Sequence, residues 1–495
     1  MLAVAAALGG AIVAVHYHRL GLTLSHYDAR GHLVVARRII DSITPGWQQI
    51  GAVWLPLPHL LNALPVQIDA FYRTGASAVA ISIVAFAIAT GAIAWIIQTL
   101  TGSAGAALAG AAVFVLNPNV LYLQSTPMTE PLLIALTTVA VAMLIAWCDP
   151  DFVLRTSYVP YFPYFRVADA TVGWAFALAC LTRYEAWPVT ATALTAAVYV
   201  LWRHGASLRS AARAVRGIAL YPAVAVAGFA IFSRVVGGEW FLSNGFFVAE
   251  NKALGDLMTA ASEIGWGVRT LSGTLLVWIG AAGSAAILVM SLLNRRRAAA
   301  VVALSLLAMS AIAWTAFVKG HPFRIRYMVP LIAVEAIGAG TAAGMLRRGR
   351  LVCSLALLGI VVYELKPLDQ TAPMVTEAQW DRPNTQARAR VTACIGESPA
   401  GEKIMASMGS LGHYMQETSR ARFAVRDFLH EGNGDIWLAA LDSPRPFVEW
   451  ILIEEKAEGG DMLATLARTR PSFLDGYTRV CDGAGLALYK RRHQS

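Results

Sequence analysis

The chain has 495 residues, of which 57% are hydrophobic and only 14% are charged. Soluble proteins carry about 25% charged residues, so this composition excludes an ordinary soluble enzyme and indicates an integral membrane protein. The net charge of +9 does not indicate a nucleic-acid-binding protein. The arginines cluster in short loops between apolar runs, and not along one aromatic-rich face, so no nucleic-acid partner is expected.

Apolar runs that are long enough, or nearly long enough, to cross a bilayer recur along the chain. They predict an α-helical polytopic membrane protein with about 11 transmembrane helices. The predicted spans are 2–16, 76–98, 103–123, 129–148, 170–183, 186–202, 215–236, 270–293, 299–318, 327–346 and 350–366.

Short basic loops predict how the chain is oriented. Residues 203–216, 295–297 and 347–350 are arginine-rich and fall on one side of the membrane under this count. Short arginine-rich loops stay in the cytoplasm, so we predict a multi-pass inner-membrane protein with a cytoplasmic N-terminus and an extracytoplasmic C-terminus. The first outer loop, residues 17–75, also carries arginines, but long loops cross the membrane with less regard to charge.

The composition changes after residue 366, where charged runs and short apolar strands begin. Strand patterns at 448–453 and 486–489 flank a helical pattern at 461–468, which predicts a C-terminal α/β extracytoplasmic domain over 367–495 beside a transmembrane module over 1–366. Cys394 and Cys481 both lie in this region. They form a disulfide if it faces an oxidising compartment, and two unpaired thiols remain an equal alternative.

The first outer loop contains a helical pattern that begins near Asp28. Apolar residues from Leu33 to Ile40 alternate with charged ones such as Arg37 and Arg38, which predicts an amphipathic helix with one apolar and one charged face. An acid held at a membrane surface suggests a functional site. The alternative is that Asp28 simply caps the helix.

Further polar residues collect at the predicted outer ends of other helices. An acid such as Glu130 is stabilised near the start of a helix by the helix dipole. An arginine such as Arg183 can extend to lipid headgroups. Each residue taken alone therefore has a structural explanation. Because Arg183 and Glu185 are two residues apart, we predict that they cannot face each other on a helix and need separate partners. Together, arginines that match phosphate and acids that can act as bases suit a reaction on a phosphate-linked lipid.

These segments resemble the GT-C membrane glycosyltransferases, especially the protein mannosyltransferase and lipid A aminoarabinose transferase branch. The resemblance covers residues 1–366. The matching segments are Tyr27-Asp28 before a helix, Trp54-Leu55-Pro56-Leu57-Pro58-His59, Asn117-Pro118 to Thr129-Glu130-Pro131, Arg183-Tyr184-Glu185, and His321 to Tyr327 before a span.

The resemblance implies a hexosyl or pentosyl transferase that uses a polyprenyl-phosphate sugar donor and inverts the anomeric centre. Asp28 would be the general base for a hydroxyl on a lipid, polysaccharide or protein acceptor. The donor phosphate would be bound by Arg183, Arg324, Arg326 and Tyr327. The implied substrate-binding residues are His26, Tyr27, His59, Glu130, Tyr184, Glu185 and His321.

The sequence departs from the family pattern beside Asp28. Many relatives carry a second acid directly after the first, whereas Ala29 stands here, so Glu130 or Glu185 would have to supply that group. Metal dependence varies within the superfamily, which leaves a divalent metal open.

Two other functions fit a polar cluster in a membrane protein. A transporter or flippase of a lipid-linked sugar would also need polar residues, but usually near the middle of the bilayer. A structural subunit of a cell-envelope complex would not need Asp28 at all. The acids of this chain gather at one predicted surface, which favours the glycosyltransferase.

Overall fold

In the computed structural model, residues 1–149, 167–238, 240, 251–396, 401–456 and 460–492 are described. The chain forms two compact units. We call one the helical unit; it contains Met1–Tyr17, Ile81–Ser125 and Thr129–Thr376. We call the other the mixed unit; it contains His18–Ala80, Thr126–Met128 and Glu377–Ser495.

Helices that lie wholly or partly in the helical unit follow the predicted spans closely. The α-helices are Leu2–Arg19, Ala76–Thr101, Ala104–Val115, Pro118–Leu123, Glu130–Cys148, Asp169–Cys180, Ala186–Arg203, Leu208–Gly237, Leu257–Ser272, Thr274–Leu293, Ser310–Val318, Leu331–Met345, Arg350–Glu364 and Pro373–Ala378. Two 3-10 segments, Arg295–Met309 and Ile325–Met328, lead into helices.

Seven helical segments of the described chain are long and apolar enough to cross a membrane, which supports a multi-pass membrane protein. They are Leu2–Arg19, Ala76–Thr101, Glu130–Cys148, Leu208–Gly237, Thr274–Leu293, Arg295–Val318 and Ile325–Met345. The predicted count of 11 spans is not confirmed, because the other four predicted runs form shorter or less apolar helices. The helix Leu257–Ser272 lies mostly between the predicted spans 215–236 and 270–293.

Small residues allow the helices of this unit to pack closely. Between Thr274–Leu293 and Leu331–Met345, a Cβ atom added at Gly283 would collide with the backbone carbonyl of Gly338. On another side of the second helix, a Cβ atom at Gly340 would lie 3.0 Å from the Cα atom of Gly110. Glycines at such contacts bring helix backbones together, which is how helices associate where lipid removes the hydrophobic driving force.

The mixed unit combines the first loop with the C-terminal region. Its α-helices are Tyr27–Arg38, Leu57–Asn62, Asp69–Thr74, Thr385–Ile395, Met408–Thr418, Asp435–Asp442 and Met462–Thr469. Its 3-10 turns are Trp47–Ile50, Pro65–Gln67, Arg382–Asn384, Ser419–Ala421, Val425–Asp427, Glu431–Asn433 and Pro471–Leu474.

A five-stranded sheet is the centre of the mixed unit, and it confirms the predicted C-terminal α/β fold. The strands are β1 (Ile404–Ala406), β2 (Phe428–Leu429), β3 (Trp450–Glu454), β4 (Tyr477–Gly483) and β5 (Leu486–Arg491). Their order is β2-β1-β3-β5-β4. Strand β1 is parallel to β2 and β3, whereas β5 is antiparallel to β3 and β4.

The sheet is covered on both faces. Along β3, Trp450 and Leu452 join a core that includes Leu33 and Val34 of the first loop. The alternate residues of β3 join a second core with the helices that follow β2 and β3. Because successive strand residues point to opposite faces, a strand buried on both sides reads as a continuous apolar run. The first loop therefore contributes, with the helices Thr385–Ile395 and Met408–Thr418, to the layer on one face of the C-terminal sheet.

A disulfide joins Cys394 and Cys481, with a sulfur–sulfur distance of 2.07 Å. It connects the end of the helix Thr385–Ile395 to β4. Of the two alternatives left open by the sequence, the bonded pair is the one the structure contains.

Candidate functional site

The helix that carries Asp28 is buried on its charged side as well as on its apolar side. Arg37 donates to Asp41 at 2.8 Å and to Asp69 at 2.7 Å, and its guanidinium lies 4.4 Å from the centre of the Tyr72 ring. The sequence pattern predicted one apolar and one charged face but not that partners from the first loop bury the charged one. The local hydrophobic pattern cannot report ion pairs with distant residues.

Asp28 occupies the first turn of this helix, and His26 is its cap. The Nδ1 atom of His26 accepts a hydrogen bond from the Asp28 backbone N–H at 3.1 Å. The capping alternative for Asp28 is therefore wrong. Its side chain is only 7% exposed, and the positive end of the helix dipole favours its carboxylate form.

The neighbours of the cap extend the site towards the C-terminal region of the mixed unit. The Nε2 atom of His26 lies 3.7 Å from a carboxylate oxygen of Glu377. The rings of His26 and Tyr27 stack at 4.9 Å between centroids. Residues from both ends of the sequence thus surround the first turn of the Asp28 helix.

A buried histidine pair lies one turn further along the helix. His59 Nδ1 is 3.0 Å from the Leu55 carbonyl oxygen, and His59 Nε2 is 3.1 Å from His32 Nδ1. A carbonyl only accepts, so we assign the His59 proton to Nδ1, and His32 then donates to the free Nε2. Burial lowers the pKa of His59 to about 4, which keeps its ring neutral at pH 7.

The sequence motif indicated His59 as a site residue but did not indicate His32. The His32 ring packs at a tilt against Trp54, with 4.1 Å between ring centroids, and also contacts the ring of His59, so two rings of the Trp54–His59 motif contact it. The signal was its position four residues after Asp28, because residues four apart lie on the same face of a helix.

In the helical unit, Arg183 binds two carboxylates. Its Nη1 atom is 3.0 Å from Glu130 Oε1, and its Nη2 atom is 2.7 Å from Glu185 Oε1. Nη1 also donates to the Thr129 hydroxyl at 3.0 Å.

The prediction that Arg183 and Glu185 cannot face each other is wrong. Both residues precede the helix Ala186–Arg203, in a turn after Cys180 where helical spacing does not apply. Glu130 is the first residue of the helix Glu130–Cys148 and is fully buried. These three side chains form one charge cluster in the helical unit.

Arg326 belongs to the same cluster. It is 7% exposed and lies close enough to Arg183 for the two positive charges to repel each other. Its guanidinium is 5.3 Å from the centre of the Tyr327 ring. With two arginines and two glutamates, the cluster is balanced in formal charge.

The remaining predicted residues of the helical unit make other contacts. The Tyr327 hydroxyl is 3.4 Å from His321 Nε2, and His321 Nδ1 is 2.8 Å from the Pro322 carbonyl oxygen. Tyr184 packs edge-on against Trp187 at 5.1 Å. Arg324 is half-buried just before the 3-10 turn that carries Arg326.

The Asn117-Pro118 motif has a structural role in the helical unit. The side-chain oxygen of Asn117 caps the helix Pro118–Leu123, and its amide donates to the Leu271 carbonyl at 3.0 Å. Asn119 donates to the same carbonyl at 2.9 Å and accepts from the Met374 backbone N–H. Both asparagines are fully buried, so they join distant segments of the unit.

In the described part of the chain, no group of three or more His, Cys, Asp or Glu side chains is placed to hold a metal ion. The carboxylates nearest to one another in the Arg183 cluster are held by a guanidinium. The described residues therefore do not fit a divalent metal site.

The structure is similar to solved GT-C structures over nearly the whole chain. ArnT from Cupriavidus metallidurans bound to undecaprenyl phosphate matches with a TM-score of 0.57 and 14% identity, covering 97% of each chain. The apo state of the same ArnT matches with a TM-score of 0.56 and 14% identity, covering 97% of this chain and 96% of ArnT. The apo oligosaccharyltransferase of Archaeoglobus fulgidus matches with a TM-score of 0.53 and 12% identity, covering 92% of this chain and 70% of that one.

No family model and no curated protein matches the sequence. The neighbours belong to the GT-C superfamily, so the resemblance expected from the sequence is confirmed at the level of the fold. At 12% and 14% identity the likeness shows a fold and not a reaction, and function must be argued from the site.

Proposed function

From a GT-C fold that extends through the chain, we propose that this protein is a membrane glycosyltransferase with a polyprenyl-phosphate sugar donor. It transfers the sugar to an acceptor hydroxyl at the extracytoplasmic face, with inversion. The observation that carries the proposal is Asp28, a buried acid in the first turn of a helix within that fold.

Asp28 is the proposed general base. In the reaction, the acceptor oxygen bonds to the anomeric carbon while the bond from that carbon to the donor phosphate oxygen breaks. The acceptor proton passes to the Asp28 carboxylate, and one displacement inverts the centre. The His26 cap fixes the backbone of Asp28 at the start of the helix, and the positive end of the helix dipole favours a carboxylate there.

The Arg183 cluster is the proposed site for the donor phosphate. The leaving polyprenyl phosphate gains negative charge as the glycosidic bond breaks, and a fixed guanidinium stabilises that charge best when it need not reorganise. Glu130 and Glu185 hold Arg183 in place. The segment at the 3-10 turn Ile325–Met328 would add the positive charges of Arg324 and Arg326 and the hydroxyl of Tyr327.

We propose for Glu130 and Glu185 a role other than that of the second acid that many relatives carry beside the residue matching Asp28. Glu130 and Glu185 both bind Arg183, so we assign them the orientation of a phosphate-binding group and not proton transfer. His26, Tyr27 and His59 are assigned to the acceptor or the sugar, as are Tyr184 and His321.

The disulfide supports an extracytoplasmic position for residues 367–495. Disulfides persist in oxidising compartments and are rare in the cytosol, and Cys394 and Cys481 are bonded. With the short arginine-rich loops in the cytoplasm, we propose a transmembrane module over 1–366 and an extracytoplasmic domain over 367–495 in a bacterial inner membrane.

The test compares the parent protein with Asp28→Asn in nanodiscs, using a panel of synthetic polyprenyl-phosphate sugars. Loss of a general base lowers kcat by about 100- to 10,000-fold, while donor binding remains. The matched control is Asp435→Asn, which changes an exposed acid in the first turn of another helix of the mixed unit. This control keeps full activity.

Equal turnover by Asp28→Asn and the parent would remove Asp28 from the mechanism. If the parent moves labelled donor across a proteoliposome membrane but never transfers its sugar, the protein is a transporter. If the parent neither transfers nor transports any donor in the panel, the glycosyltransferase proposal fails.

A further inference from the structure

The C-terminal region presents charged residues to the helix that carries Asp28. The helix Met408–Thr418 packs against Tyr27–Arg38 within the mixed unit. His413 and Glu417 are four residues apart, so both project from one face of their helix. Glu417 pairs with Arg30, which lies two residues after Asp28.

Arg388 joins this pair to a second acid. Its Nε and Nη2 atoms donate to the two carboxylate oxygens of Glu417 at 2.8 and 2.7 Å. Its Nη1 and Nη2 atoms donate to the two oxygens of Asp381 at 2.8 and 2.7 Å. Arg388 is 3% exposed. Bidentate hydrogen bonds between a guanidinium and a carboxylate fix the relative geometry of the two groups as well as balancing their charges.

The network is balanced in charge at neutral pH. Burial and the charge of Arg388 together lower the pKa of His413 to about 4, although the Asp381 carboxylate acts in the opposite direction. Burial disfavours ionised Asp381, but hydrogen bonds from Arg388 hold its pKa below the ordinary value. Two cations, Arg30 and Arg388, therefore face two anions, Asp381 and Glu417.

We propose that Arg388 and Glu417 are positioning residues that fix Arg30 and set the electrostatic field at Asp28. The C-terminal region is thereby part of the catalytic apparatus and not only a cover for the acceptor site. This inference rests on the proposed role of Asp28 as the base.

The inference predicts opposite effects for the two charges. Glu417→Gln removes an anion, and the surplus positive charge favours ionised Asp28, so the pKa of Asp28 falls. Arg388→Gln removes a cation, and the surplus negative charge disfavours ionised Asp28, so the pKa of Asp28 rises. The link from this network to Asp28 is His413, which lies within electrostatic reach of Asp28, Arg30, Asp381 and Arg388. Glu417 pairs with Arg30. On the other elements, His26 binds the Asp28 backbone and lies near Glu377, and His32 follows one turn along the helix.

The experiment measures the acid limb of the pH profile of kcat/KM, which reports the base of the free enzyme. Glu417→Gln moves the limb down by about 0.5–1 pH unit and Arg388→Gln moves it up by a similar amount. Arg388→Lys keeps the positive charge but cannot make the paired hydrogen bonds of the guanidinium. It therefore lowers kcat, while the acid limb of the pH profile stays near the parent position.

The matched controls are Glu455→Gln and Arg479→Gln. They make the same charge changes in an exposed pair of the mixed unit, 3.0 Å apart, and they leave the limb unchanged. A second measurement follows the pH dependence of carbodiimide modification of Asp28 by peptide mass spectrometry. This readout needs no turnover, so it separates the field from the reaction.

Opposite shifts of the two variants, with none in the controls, support the inference. Absent shifts, or shifts in the same direction, overturn it even if Asp28→Asn abolishes transfer. If the parent shows no transfer but modification of Asp28 shifts as described, the field is real and the glycosyltransferase proposal fails instead. Should Arg388→Gln not fold, a downward shift in Glu417→Gln and its absence in Arg388→Lys decide the question.

Discussion

The two units are stabilised by different means. In the helical unit, helices approach until backbone meets backbone, as at Gly283 and Gly338, and the Arg183 cluster is a compact charge group. In the mixed unit, a sheet with a core on each face is surrounded by extended ion pairs and crossed by a disulfide.

The difference follows from the solvent that each unit is expected to meet. In lipid, apolar surface gains little from burial, so close packing of small residues and satisfied polar groups must supply stability. In water, burial of apolar surface is the main favourable contribution, and a disulfide adds to it by restricting the unfolded chain. The comparison can therefore be tested by changing one kind of interaction at a time and asking which unit responds.

The largest effect is expected in the helical unit from Arg183→Met. The substitution leaves Glu130 and Glu185 buried without their cation, which costs about 3–5 kcal/mol for a buried pair. Hydrogen exchange read by mass spectrometry should show faster exchange in the helical unit. The double variant with Glu130→Gln should recover part of that loss, because Arg326 and Glu185 then balance each other in formal charge. Failure of the double variant to recover would show that the cluster contributes through geometry and not through charge.

The next effect belongs to the mixed unit. Cys481→Ser removes the disulfide with Cys394, which closes a loop of 87 residues in sequence separation, and should cost about 2–4 kcal/mol. Thermal unfolding followed by exchange of the mixed unit measures the loss. Cys353→Ser changes a cysteine that is not in a disulfide and should leave the mixed unit unchanged. Equal destabilisation by both variants would contradict the assigned role of the bond.

The packing of the helical unit is tested by Gly283→Ala. The added methyl group meets a backbone carbonyl that cannot move aside as a side chain could, so we expect a loss of about 1–3 kcal/mol. Gly359→Ala is the control, because no atom lies within 4 Å of its added Cβ. The measurement is the midpoint of thermal unfolding in detergent. A lower midpoint for the control than for Gly283→Ala would disprove close packing at this contact.

The sequence predicted the elements that depend on local pattern. The apolar runs gave nearly every helix of the helical unit, and the strand patterns near 448–453 and 486–489 became β3 and β5. These succeed because hydrophobic periodicity and length are local properties. The helix Leu257–Ser272 was missed because its polar and apolar faces make it read as a loop in a search for continuous apolar runs.

The sequence indicated many of the site residues but not which residues form ion pairs with one another. The sequence selected Arg183, Glu185 and Glu130, yet the spacing rule separated the first two, because it assumed a helix where the chain turns. It placed Asp28 at a helix start but could not indicate Arg388 or Glu417, which lie more than 300 residues away. Long-range ion pairs leave no periodic signal in a single sequence.

The last effect is absent at pH 7 and develops in the mixed unit as the pH falls. Burial lowers the pKa of His59 to about 4 and that of His430 to about 3, whereas an unfolded histidine has a pKa near 6.5. Above pH 6.5 both states are neutral and nothing is lost. Between 6.5 and 4 the unfolded chain binds a proton that the folded unit does not, so each histidine lowers stability by about 1.4 kcal/mol per pH unit.

His59→Gln and His430→Asn should each reduce the slope of mixed-unit stability against pH by that amount, whatever they do to stability at pH 7. Exchange of the mixed unit measured between pH 7 and pH 4.5, at matched intrinsic rates, gives the slope. A slope equal to the parent's in both variants would mean that these rings are protonated in the folded unit. The acid sensitivity would then have to come from the carboxylates of the ion-pair network.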